Sequence, residues 1–122
     1  MYQDYRAAWA QLTAPDADFE VVTTNVRGVD IRTYAKAPGS LRDLWLSTAQ
    51  FADRDYLVYK DERLTYGETQ QRVASLANWL IDQGVQPGER VAIAMRNYPE
   101  WMQAYWAITS VGAAVVGMNA WW

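Results

Sequence analysis

Apolar residues recur at helical spacing in four stretches of this chain and in short β-branched runs between them, and the switches of period mark its elements. Tyr2, Tyr5, Trp9 and Leu12 fall three and four apart, as one face of a short helix. Thr13 to Asp18, with Pro15 and two aspartates, reads as a loop, and Phe19 to Thr24 and Val26 to Ala35 read as strands, with Gly28 marking a turn or bulge. Ala37-Pro38-Gly39-Ser40 is the clearest linker. Ser40 is placed to cap a helix whose buried face is Leu41, Leu44, Trp45, Thr48 and Phe51.

Tyr56 to Lys60 and Arg63 to Tyr66 predict a hairpin joined by Asp61-Glu62, although such a turn prefers Gly at its second position. Thr65-Tyr66-Gly67-Glu68 has the spacing of a capping box. The helix it opens should bury Val73, Leu76, Ala77, Leu80 and Ile81 and turn Gln70, Gln71, Ser75, Asn78 and Asp82 outward. Gly84, Val85 and Pro87 end it, because glycine supplies the left-handed residue and proline blocks continuation. Val91 to Met95 has no polar alternation, which predicts a strand covered on both faces. Pro99 and Glu100 then start a helix, with Trp101, Tyr105 and Ile108 as its stripe, Gly112 as its stop and Ala114 to Met118 as the next strand. Strand, helix, strand in this order is a right-handed βαβ crossover. The fold class read here is α/β, with short β-hairpins before a βαβ unit of parallel strands. Residues 1–37 form an N-terminal helix and short strands, and residues 38–122 the α/β portion.

Composition narrows the chemistry. The 122 residues contain no His and no Cys, which removes the usual nitrogen and sulfur zinc ligands, the Ser-His-Asp triad and any disulfide. A cysteine-free chain fits a reducing compartment, and the expected location is cytoplasmic. The net charge of −3 argues against a nucleic-acid partner. Asp4 and Arg6 interrupt the first residues, so no signal peptide is expected. Trp101 to Trp122 is 22 residues without a charge and has a membrane-span reading, but Gln103, Asn119 and three Gly or Ser positions lower its hydrophobicity, and the βαβ reading is preferred. Asp53, Asp55, Asp61 and Glu62 are the carboxylate pairs, read as solvated residues in polar connections. No phosphate-binding glycine loop is present, and Lys36 and Lys60 lie outside any glycine turn that opens a helix. Trp121 and Trp122 close the sequence directly after an apolar run, which reads as a chain cut from something longer.

Leu57 to Trp122 resembles the opening of the AMP-forming acyl-CoA synthetases of the adenylate-forming superfamily. The likeness rests on Leu64-Thr65-Tyr66-Gly67-Glu68, on Gly84 to Ile93, on Arg96-Asn97-Tyr98-Pro99-Glu100-Trp101, and on Gly112 to Val116 leading to Asn119. Ala37-Pro38 through Leu44 resembles the lead-in of the fatty-acyl branch. The resemblance implies the N-terminal subdomain portion of an enzyme that uses ATP, Mg and CoA to convert a carboxylate, favoured as a long-chain fatty acid, to acyl-CoA, AMP and pyrophosphate. The family's phosphate loop and catalytic lysine have no counterpart here, so the resemblance assigns no catalytic, cofactor-binding or metal residue to this chain, and no ligand is expected to bind it alone. Members often carry a small hydroxyl residue where this chain has Tyr98, which leaves Asn97 as the expected cap. A strand from Ala114 to Met118 with an unpaired side favours self-association, hence a homo-oligomer. The alternatives are a fragment of an aryl- or amino-acid-adenylating enzyme and a stand-alone interaction module using the Trp-rich end.

Overall fold

Residues 2–119 are described by a computed structural model in which the chain forms two compact units, Met1–Pro38 and Gly39–Trp122. In the first unit, α1 (Tyr2–Leu12) presents Tyr5, Trp9 and Leu12 on the predicted face, and all three are exposed. β1 (Val21–Val26) pairs antiparallel with β2 (Val29–Tyr34). Val26 ends the first strand opposite Val29, where sequence placed it in the second. The turn between them is Arg27-Gly28 with φ of 53° and 84°, the double positive φ that a twisted two-residue hairpin demands. Asn25 Oδ1 accepts the Gly28 amide at 3.0 Å and so closes the turn.

In the second unit, α2 (Leu41–Ser47) begins at Ser40, whose Oγ accepts the Asp43 amide at 3.1 Å. Of its predicted buried face only Trp45 is buried, whereas Leu41 and Leu44 are exposed. The helix stops at Ser47 and a 3₁₀ turn follows over Thr48–Phe51, so the residues of the stripe no longer share one face. β3 (Asp55–Tyr59) and β4 (Glu62–Thr65) pair antiparallel through Tyr59 and Glu62. The turn is therefore Lys60-Asp61 rather than Asp61-Glu62, with Lys60 taking the left-handed φ of 52°.

The capping box opens α3 (Tyr66–Asp82). Thr65 Oγ1 accepts the Glu68 amide at 3.1 Å, and Glu68 Oε2 accepts the Thr65 amide at 2.9 Å. Val73 and Leu80 are buried, while Ile81 is 55% exposed against expectation. Gln70, expected to face solvent, instead turns toward α2 and donates to Trp45 O and Thr48 Oγ1. Gly84 (φ 90°) ends the helix, with the Gly84 amide on Ile81 O and the Val85 amide on Leu80 O.

β5 (Arg90–Ile93) and β6 (Ala114–Gly117) pair in parallel across α4 (Pro99–Ser110), the strand-helix-strand order read from sequence. β5 stops two residues short of Met95. Ile93 is buried and Val91 half-buried, but Arg90 and Ala92 are exposed, so among the described residues helices cover one face of the pair and not both. α4 is capped by Tyr98, not Asn97, and without a side-chain hydrogen bond. Gly112 repeats the left-handed stop, its amide on Thr109 O and that of Ala113 on Ile108 O. The core joins Trp45, Val73, Leu80, Ile93, Ala107 and Ile108. A run of aromatic rings borders it, with Trp45 stacked on Trp106 at 4.9 Å and Trp101 on Tyr105 at 5.8 Å. No helix among the described residues is long and apolar enough to cross a membrane. Trp121 and Trp122 lie outside the described residues.

Candidate functional site

Parallel strands direct their carboxyl ends toward one edge, and loops leaving that edge line the crevices where α/β proteins bind ligands. In this chain the segment after β5 and the residues after β6 meet there around a concavity of about 580 Å³. Met95, Arg96, Asn97 and Trp101 come from the first, and Met118 and Asn119 from the second. The Met118 amide donates to Ile93 O at 3.0 Å, which carries the ladder one residue past β6 and sets the edge. A guanidinium, two carboxamides, two thioethers and an indole can bind and orient an anionic or planar group. They include no carboxylate, imidazole, hydroxyl or thiol to act as general base or nucleophile. Sequence reasoning did not single out Arg96 or Asn119 as a pair. The signal was their shared position just beyond two apolar strands.

The carboxylate pairs weighed from sequence do not converge. Asp55 lies in β3, not in a connection, and accepts from Arg63 Nη1 at 2.9 Å. Glu62 lies in β4, 3.8 Å from Arg72. Both are surface ion pairs, of the kind worth about 0–1 kcal/mol. Among the described residues no group of three carboxylates could hold a metal ion. Lys36 donates to Asp16 O and lies 4.0 Å from Asp18, and Lys60 lies over the Tyr59 ring. Gly67 donates its amide to Ala52 O at 2.9 Å, and a Cβ there would meet that oxygen at 3.2 Å. This glycine serves a close backbone approach, not a phosphate.

Two titratable groups are displaced for structural reasons. The Thr65 amide and then the Thr65 hydroxyl hold the Glu68 carboxyl below its ordinary value. Burial pushes the Tyr56 phenol up, the hydrogen bond from Trp106 Nε1 at 2.7 Å opposes this, and neighbouring Tyr66 adds to the rise. Neither lies in the crevice.

Comparison with known proteins places this geometry. The model of a family described as AMP-binding enzyme matches residues 44–122. Pyochelin synthetase PchE of Pseudomonas aeruginosa is 33% identical over 78 residues, which are 64% of this chain and 5% of that protein. The medium/long-chain-fatty-acid–CoA/3-oxocholest-4-en-26-oate–CoA ligase of Mycobacterium marinum is 39% identical over 67 residues, 55% of this chain and 12% of that protein. Among solved structures, the N-terminal subdomain of NpsA from Klebsiella oxytoca, in complex with 3-hydroxyanthranilyl-AMSN, superposes with a TM-score of 0.65 at 27% identity. That match covers 66% of this chain and 21% of the other. The chain thus spans a small part of each relative's length.

Proposed function

This chain belongs to the AMP-binding enzyme family, and on that premise we propose that it is scaffold from the N-terminal subdomain of an acid–CoA ligase. In the first half-reaction a carboxylate oxygen attacks the α-phosphorus of ATP, forming the acyl-adenylate and releasing pyrophosphate. In the second the CoA thiol attacks the acyl carbon and AMP leaves. The observation that carries this reading is the family match over residues 44–122, spanning the hairpin, the capped helix and the parallel pair.

A medium- or long-chain fatty acid is the substrate we favour, supported by the likeness to the mycobacterial ligase and by the lead-in from Ala37 to Leu44. The catalytic groups, and those that bind ATP, Mg²⁺ and CoA, belong on this reading to other parts of the enzyme. The cysteine-free composition supports a cytoplasmic location. The exposed Ala92, Ala114 and Val116 on the open face of the parallel pair support self-association.

A second reading, amino- or aryl-acid adenylation within a peptide synthetase, is supported by the likeness to PchE and to NpsA. The test is carboxylate-dependent ATP–pyrophosphate exchange by the protein made from the full reading frame, followed by acyl-CoA formation. Exchange with dodecanoate and thioester formation with CoA support the ligase. Exchange with amino or aryl acids and no transfer to CoA supports the second reading. Absence of exchange with every carboxylate overturns both.

A further inference from the structure

We draw no further inference here: the strongest candidate, the exposed apolar face that Val26, Val29 and Ile31 form on the β1–β2 hairpin of the Met1–Pro38 unit, carries nothing because nothing in the structure shows what covers it.

Discussion

Thr65 and Glu68 exchange two hydrogen bonds across the first turn of α3, each residue giving its amide and accepting on its side-chain oxygen. Thr65→Ala removes the hydroxyl that accepts the Glu68 amide and should cost about 1 kcal/mol, read as a shift of the urea midpoint at unchanged slope. The Glu68 carboxyl has a folded pKa below its ordinary value of 4.5, so the charged form is favoured in the folded state. Its contribution is then fully present above pH 4.5 and is lost as pH falls through the folded value. Wild type should exceed Glu68→Gln in stability at pH 7, and the gap should close toward pH 3; an unchanged gap across that range would contradict the assignment. The two helix-stopping glycines separate backbone from contact effects. At Gly84 (φ 90°) an added Cβ meets nothing within 4 Å, whereas at Gly112 (φ 80°) it meets Pro87 Cβ at 3.2 Å. Gly84→Ala should therefore cost about 1 kcal/mol, and Gly112→Ala measurably more in the same denaturation assay.

At the scale of elements, the short α2 is held by one residue. Trp45 is 2% exposed, stacks on Trp106 at 4.9 Å and lies 5.5 Å from Tyr56. Trp45→Ala should cost about 3–5 kcal/mol, and Leu41→Ala on the same helix less than about 0.5 kcal/mol, compared by thermal unfolding. Elements were legible where local chemistry decides them. The capping box, the Ser40 cap and both glycine stops all follow from side chains within a few residues of one another. What local chemistry does not decide was misread. The turn at Lys60-Asp61 follows from the pairing of Tyr59 with Glu62, which no glycine announces. Gln70 faces inward because the Trp45 carbonyl at the end of α2 lies opposite it, and a periodicity count treats every glutamine as outward. Tyr98 caps α4 with backbone alone, so no hydroxyl or carboxamide marks the position.

For the whole molecule, the parallel pair and its crossover helix were readable from two apolar runs flanking an amphipathic one. The concavity at the carboxyl edge was not, because it gathers Arg96 and Asn119 from separate segments and neither has a motif of its own. The central claim is that these 122 residues supply scaffold of an AMP-binding enzyme while its chemistry resides elsewhere in that enzyme. The direct test is carboxylate-dependent ATP–pyrophosphate exchange by the purified 122-residue chain, with Mg²⁺ and a panel of fatty, aryl and amino acids. Exchange indistinguishable from the blank with every acid is the predicted result. Saturable exchange that requires one of those acids and persists through repurification would contradict it, and would place the nucleophile's activation among residues described above.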